Sequence, residues 1–527
     1  MPRPTTPLLL LLVLMLAAEA AAGQEPYTPM VPAGSVRIGA FPSFSTWSSR
    51  FGISRTGGTI TEQTERLGSD FTGDPLGSSV FPALLGFEDA VRTASAGPFD
   101  LNLGSLRSVI EKSQIRVPLE LDVGVTDWLN VGIAVPVVQN EAAVAFDFQA
   151  DSLLVNAGLS PGVIDSFETD SFLGDFQTAI DAFQVTQMAT CQSDPSSAAC
   201  LDATALLGDA TQVQSAMATM YQAFSLAPFA GSAASAAIEA RLSTIDLGFS
   251  AAGVSGTPVV LPVATAPLGL LDFQALITDP RFGTDGSYPL QRWLSRWIIG
   301  DVELRMNLRL LHLSGGEDSR TELTIGGGVT YRLGTGMRDD PANFLDQGTG
   351  DGQDDIELRG WINTQWGGRL GVWGDLRYGT QQGDDALRRV FDPDFLLAPA
   401  ATQAAVEWTP GDYQRFEVAP WFRIADQLTF LPTYRYFHKG EDTFALLGGG
   451  TGSLDPTVLT LESGVTLQEI GLGMVYSSVP QRASDPAGPR FEIRSMYRSA
   501  FSGEGGQVPK TGTFEAGFRL FVSLWGS

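Results

Sequence analysis

The chain has 527 residues, 43% of them hydrophobic and only 17% charged, with 33 Lys+Arg against 59 Asp+Glu, two His and two Cys. A formal net charge of −26 and a pI near 4.4 argue against nucleic acid as a partner. Two cysteines cannot build a disulfide scaffold. Beyond the N-terminus, Arg, Asp or Glu interrupts every longer apolar run, so none reaches the roughly twenty residues that a spanning helix needs.

Residues 1–22 read as a secretory signal: Arg3 gives the positive start, Leu8–Leu16 the apolar core, and Ala20-Ala21-Ala22 an A-x-A cleavage site before Gly23. After it the dominant signal is alternation of apolar and polar residues. Gln114–Val125 reads QIRVPLELDVGV, Asp301–Leu310 DVELRMNLRL and Phe514–Leu524 FEAGFRLFVSL. A period of two held for about ten residues is what a tilted strand needs to cross a bilayer. Lipid tolerates no open sheet edge, so the pattern predicts an all-β transmembrane barrel.

Twelve antiparallel strands can be placed in chain order. The first is Ser35–Trp47, and Ser113–Val125 and Leu129–Asn140 follow, joined by Thr126-Asp127-Trp128. Gly300–Leu313 and Arg320–Leu333 flank Ser314–Ser319, and Ile356–Trp366 and Arg369–Thr380 flank the hairpin dipeptide Gly367-Gly368. Asp412–Ile424 and Leu428–Lys439, then Thr466–Ser478 and Pro489–Ala500, form the next pairs, and Thr513–Trp525 ends the series. The connections alternate short and long, as in barrels with short periplasmic turns and long external loops. Ala404–Thr409 is also strand-like and reads as an extension of strand eight; fourteen strands is the alternative count. The last strand has the apolar face Phe518, Leu520, Val522 and Leu524 with a near-terminal aromatic, Trp525, the kind of signal that barrel-assembly machinery reads.

The predicted organisation is therefore a signal over 1–22, strands one to three with a long first loop over 23–145, an insert over 146–299, and strands four to twelve over 300–527. About 150 residues separate strands three and four, too many for a structureless loop. Phe172–Thr190 and Leu201–Leu226 carry apolar residues at helical spacing (Phe172, Phe176, Ile180, Phe183), and a small-residue stretch, Gly231–Ala237, follows. Those four side chains either pack the insert or form an apolar capture surface. A third helix, Phe81–Ala94, is predicted in the first loop. Cys191 and Cys200 lie nine apart in an exported chain and are expected to form a disulfide; zinc fits less well, since neither His is near. Between Phe146 and Ile299 fifteen Asp+Glu face four Arg and no Lys, a surplus of eleven negative charges that predicts an acidic outer surface.

The runs Leu119–Val138 (LELDVGVTDWLNVGIAVPVV), Gly300–Leu311 (GDVELRMNLRLL) and Gly326–Gly336 (GGGVTYRLGTG), with Asp346–Asp351 (DQGTGD), resemble the outer-membrane transporter-like barrels of the phenol meta-pathway family, related in kind to fatty-acid and aromatic-hydrocarbon channels. The resemblance covers the strands, most strongly Ser113–Val138 and Gly300–Tyr378, and not the helical insert. It implies an outer-membrane barrel with a transport role, carries no catalytic motif, and leaves the solute unnamed.

If the apolar parity meets lipid, the other parity lines a lumen. It holds Arg116, Glu120 and Asp122, then Glu303, Arg305 and Arg309, Glu357 and Arg359, Asp375 and Arg377, Arg415 and Glu417, Arg494, and Arg519, with Arg423, Arg435, Arg490, Glu492, Arg498 and Glu515 beside them. Such charges either form a salt-bridged ladder that stiffens the barrel or line a water-filled path, and the two are compatible. Asp346, Asp351, Asp354 and Asp355, interleaved with Gly, are the best Ca²⁺ candidates, though the spacing is not that of an EF-hand and a solvated acidic loop explains it more simply. Trp47, Trp128, Trp293, Trp297, Trp361, Trp366, Trp408, Trp421 and Trp525 suggest interfacial girdles.

The only histidines, His312 and His438, each end a strand but on opposite faces of the membrane, and no G-x-S-x-G stretch accompanies them, so an enzyme is not expected. The function expected is passive passage of small solutes, hydrophobic or aromatic ones among them, across the outer membrane of a diderm bacterium. The rival is a surface-interaction or structural barrel acting through its insert. No cofactor is expected; partners are outer-membrane lipid and lipopolysaccharide, the barrel-assembly machinery and an unnamed solute.

Overall fold

Twelve long strands close on themselves in the computed structural model, which describes residues 28–56, 59–151, 154–279, 290–315, 321–395, 397–449, 454–478 and 490–524. The expected signal, the terminal Trp525 and most of the Ser314–Ser319 turn lie outside these. The strands are β1 (Ser35–Ala40 and Ser43–Trp47), β2 (Ser105–Thr126), β3 (Leu129–Gln149), β4 (Val302–Gly315), β5 (Thr321–Leu333), β6 (Asp355–Trp366), β7 (Leu370–Gln381), β8 (Tyr413–Ala425), β9 (Leu428–Lys439), β10 (Val465–Ser477), β11 (Arg490–Glu504) and β12 (Gly512–Ser523). Each pairs antiparallel with its neighbours. β1 closes the ring by pairing with both β2 (Val36↔Val123) and β12 (Val36↔Val522). Pro42 has no N–H to give a ladder, and it marks the break between the two pieces of β1.

The predicted turns form for identifiable reasons. Gly367 and Gly368 both take positive φ (57° and 71°), the hairpin geometry that suits the twist of β6 and β7. At the β2–β3 turn the Thr126 hydroxyl accepts from the N–H of Trp128 and of Leu129.

Parity sorts the side chains as alternation predicts. Leu119, Leu121, Val131, Leu304, Met306, Leu358, Leu376, Phe416, Ile470, Leu472, Ile493 and Phe518 stand on the outside, each at least 39% exposed. A contiguous apolar belt of this kind is far larger than a water-facing surface carries, and it suits a bilayer. Among the described residues no helix is long and apolar enough to cross a membrane.

β2 and β3 run on well past the belt, to 22 and 21 residues, where lipid-thickness reasoning predicted their ends near Ser113 and Asn140. The extra length serves a different core. Leu106, Ile110, Ala142 and Val144 pack with five helices at the long-loop end: α1 (Leu85–Ser95), α2 (Ser166–Ser193), α3 (Ala198–Ala218), α4 (Ala233–Ala251) and α5 (Leu270–Ile277). α1 comes from the first loop and the others from the segment between β3 and β4, so the two loops share one core. Side-chain caps start the helices: Asp165 accepts from Phe167 N, Ser197 from Cys200 N and Ser232 from Ser235 N. α4 was read only as a small-residue stretch, because its buried Ile238, Leu242, Ile245 and Phe249 fall beyond the Ala-rich start. Phe172, Phe176, Ile180 and Phe183 are buried, with Phe183 stacked on Phe249 at 4.2 Å, so they pack the core and offer no capture surface. The Cys191–Cys200 disulfide ties α2 to α3.

Gln403–Thr409 pairs with Asp384–Arg389 and Thr443–Leu446 in a three-stranded sheet that follows the order β7, β8, β9 beyond the belt. Its residues therefore extend strand eight, and the barrel count is twelve.

Candidate functional site

The lumen is layered, and its floor lies at the short-turn end. There the segment Thr28–Pro32 turns into the barrel before β1 begins. The Arg37 guanidinium donates to the carbonyls of Thr28 (2.9 Å) and Pro29 (3.2 Å), and Asn130 Nδ2 donates to Pro29 (2.8 Å). Met30 is buried against Trp361, Trp373 and Ala419. The two indoles stack at 5.7 Å, and Trp421, Leu431 and Val475 form a second apolar group. Glycines make this possible: a Cβ at Gly326 would stand 2.1 Å from the Trp361 ring, and one at Gly371 2.3 Å from Trp421. Trp361 and Trp421 are thus lumen fillers and not girdle residues, whereas Trp128 and Trp366 are about half exposed at the turn ends, as a girdle requires. Met30 carries no sequence signal as a lumen residue, and Trp373 stands outside the predicted list. Trp373 lies on the inward parity with Asp375 and Arg377, which is the pattern that reveals it.

Above the floor, inward side chains form an ion-pair lattice built of four groups. Asp122, 1% exposed, pairs with Arg37 (2.9 Å) and Arg305 (3.2 Å), and Arg305 also holds Glu120 (3.0 Å). Arg359 pairs with Asp375 (2.5 Å), and Arg377 bridges Asp375 (2.7 Å) and Glu357 (3.0 Å). Arg435 joins Glu417 (3.1 Å) to Glu469 (3.2 Å). Arg494 and Arg498 share Glu515 (3.4 and 3.7 Å), and Arg519 reaches Glu120 and Glu492 (3.7 and 3.9 Å). Toward the long loops Arg332 contacts Asp355 (2.7 Å) and Glu303 (3.6 Å), and Arg116 lies 3.8 Å from Glu303. The structure thus brings together all but four of the predicted lumen residues: Arg423 donates instead to the Gly368 carbonyl at the short-turn end, and Arg490 joins none of these pairs. Arg309 shares the parity but sits at the bulge near the β4–β5 turn and joins none of these pairs. Arg415 lines the lumen cavity and has no ion pair among the described residues. Arg37, Arg332 and Glu469 belong to the lattice as well; Arg37 and Arg332 stand between apolar residues, which marks them in the sequence, whereas Glu469 follows Gln468 at a register shift and carries no such mark.

Two cavities lie within this framework. One, of about 240 Å³, is enclosed by nine arginines and five carboxylates, with Thr28 and Pro29 also in its wall. The other, of about 370 Å³, lies toward the mouth between Arg116 and the loop joining β5 to β6. That loop folds inward: Asn140, on the inner face of β3, donates to the Gly348 carbonyl, Gln347 donates to Glu141 O (3.0 Å), and Gly350 leaves no room for a Cβ beside Asp301. Leu345 buries itself in the core of the helices, so the loop links that cap to the lumen.

The Ca²⁺ candidates are used inside this loop. Asp346 accepts from the N–H of Asp340 and Gln347, and Asp351 from Gln353 N and Gln381. Asp354 accepts from Tyr331 and Gly334 N, and Asp355 pairs with Arg332. Among the described residues no group of three or more acidic, His or Cys side chains is arranged to hold a metal. His312 and His438 each bond a cross-strand threonine, Thr324 (3.1 Å) and Thr466 (3.0 Å), near opposite ends of the barrel.

No protein-family model matches the chain, and no curated protein matches it. Among solved structures, an outer-membrane channel from Pseudomonas putida F1 aligns over 95% of this chain and 99% of its own, at 7% identity and a TM-score of 0.39. The CymD monoaromatic hydrocarbon channel aligns over 94% and 89% at 8% identity and a TM-score of 0.26, and a FadL homologue of Pseudomonas aeruginosa over 93% and 90% with the same identity and score. These are similarities of barrel architecture at low identity. The barrel assignment itself rests on the closed strand register.

Proposed function

We propose that this protein is an outer-membrane channel that passes small solutes through its lumen. The observation that carries this reading is a closed twelve-stranded barrel with an apolar belt outside and two charge-lined cavities inside, one above the other beneath an inward-folded loop. On this reading the long loops and helices face outward from the cell and the short turns face the periplasm. The ion-pair lattice then has two effects. It stiffens the wall, and it presents fixed charges that sort solutes by sign and size. The phenol label implied by the family resemblance and the aromatic solutes named for CymD are starting points for a solute screen. The test is swelling of liposomes that contain the full-length chain, in isosmotic solutions of small carboxylates, sugars and phenols. Swelling above that of protein-free liposomes supports the channel; none from protein shown to be folded refutes it.

A surface-interaction role is the second reading. It is favoured by Val163, Ile164 and Phe167, which lie together at the start of α2 with exposures of 52, 91 and 76%. Paired Ile164→Asp and Phe167→Asp changes should abolish adhesion to a surface or partner and leave solute passage unaltered if that reading holds.

A further inference from the structure

We infer that the lumenal cavity is an anion site, built to take the carboxylate of a small organic acid, with Arg415 as its central contact. The inference names a solute class for the lumen described above and so rests on the channel reading.

The first observation is a reversal of charge. The chain carries a formal charge of −26, yet the 240 Å³ cavity is walled by nine arginines and five carboxylates, and even with Glu357, Glu469 and Glu492, which pair with Arg377, Arg435 and Arg519 from behind the wall, one positive charge is left over. In a narrow, protein-walled space such an excess attracts a mobile anion far more strongly than it would at an open surface. The cavity has room for about eight waters at ~30 Å³ each, enough for a compact monocarboxylate that sheds most of its shell.

The second observation singles out Arg415. In register it stands beside Arg377 on β7, which in turn stands beside Arg359 on β6, a row of three guanidiniums. The nearby carboxylates are already engaged. Asp375 holds both Arg359 and Arg377, Glu357 holds Arg377 and accepts from the Tyr413 hydroxyl (2.9 Å), and Glu417, two residues along, is held by Arg435. The neighbour of Arg415 on β9 is Phe437, which offers no charge. Arg415 therefore has no carboxylate within 4 Å among the described residues, and its buried Nε–H has no acceptor. A half-buried guanidinium whose Nε–H is buried without an acceptor is stabilised by a partner with the fork geometry of a carboxylate. The Nε–H groups of Arg305, Arg498 and Arg519 around the same lumen also lack acceptors.

The experiment is calorimetric titration of the full-length, detergent-solubilised protein with sodium benzoate and, in parallel, with neutral benzamide, for the wild type, Arg415→Gln, Arg415→Lys and Arg296→Gln. Arg296 is exposed and does not line the cavity, and it serves as a charge control. Benzoate binding that weakens at least tenfold in Arg415→Gln, less in Arg415→Lys and not in Arg296→Gln is expected, with benzamide silent. Equal benzoate affinity in Arg415→Gln, equal affinity for benzamide, or no benzoate binding by folded wild type each overturns the anion site. Liposome flux separates this from the channel reading. Arg415-dependent binding without flux keeps the site and removes the channel; flux without such binding keeps the channel and removes the site.

Discussion

Met30→Ala should loosen the floor of the lumen, and the expected size follows from the contacts of the Thr28–Pro32 segment. Three hydrogen bonds hold its carbonyls, from Arg37 to Thr28 and Pro29 and from Asn130 to Pro29, and at roughly 1 kcal/mol each they contribute about 3 kcal/mol. Burying the Met30 side chain against Trp361 and Trp373 adds about 2 kcal/mol. Ordering five residues opposes this at about 1–2 kcal/mol each, the lower end applying because Pro29 and Pro32 are already restricted. Gain and cost match to within a few kcal/mol, so the segment is poised to leave the lumen. Removing the methionine side chain takes away about 2 kcal/mol, a shift of about thirtyfold toward the undocked state at 1.4 kcal/mol per decade. Single-channel recording reads this directly as the fraction of time in the larger conductance level. Near-ultraviolet circular dichroism of the stacked Trp361–Trp373 pair gives a second readout. Wild-type and Met30→Ala proteins with the same open fraction would refute the reasoning, because the side chain would then contribute nothing to holding the floor.

Asp122→Asn strips one carboxylate from two arginines, and breaking a buried pair costs about 3–5 kcal/mol, to be seen as a fall in the urea midpoint of barrel unfolding; an unchanged midpoint would show the lattice to be stability-neutral here. Gly326→Ala drives a methyl into the Trp361 ring and should cost about 1–3 kcal/mol, while Gly360→Ala, with nothing within 4 Å, should be silent. In the first long loop, where the turn Ser69–Phe71 follows the hairpin of Ser49–Thr56 and Thr59–Arg66, burial chiefly, and the nearby carboxylate of Glu65, push Asp70 up to about 6 despite its contact with Arg50 (3.1 Å). The folded state therefore binds this proton more tightly than the unfolded chain, so stability rises as pH falls through about 6 toward the ordinary carboxylate value. Asp70→Asn should flatten that stretch of the melting-temperature profile between pH 7 and 4; identical profiles would remove the assignment.

Most of the barrel was legible because two physical rules act on every strand at once. Lipid outside and charge pairing inside impose the alternation that marks Leu119/Glu120/Leu121/Asp122, and closure demands an even count. What escaped is where a different rule takes over. β2 and β3 continue past the belt because Leu106, Ile110 and Val144 meet helices and not lipid, and belt length says nothing about that core. α4 was missed because its start is a run of Ala and Ser, with the buried positions spaced along its second half. The site was legible as a list of inward charges but not as a circuit. That Asp375 takes two arginines while Arg415 takes none depends on cross-strand register, which a period-two pattern leaves undefined. The floor was hidden most completely, since Thr28–Pro32 has no periodicity and is placed only by tertiary contacts.

Planar-bilayer recording of the purified, folded chain under a tenfold KCl gradient tests the central claim most directly. The account predicts discrete current steps of stable size, with a reversal potential on the chloride side, as a lumen with surplus arginine requires. Silence from protein that is folded by its heat-modifiable migration would contradict the channel, and steps that reverse on the potassium side would contradict the charge assignment of its lumen.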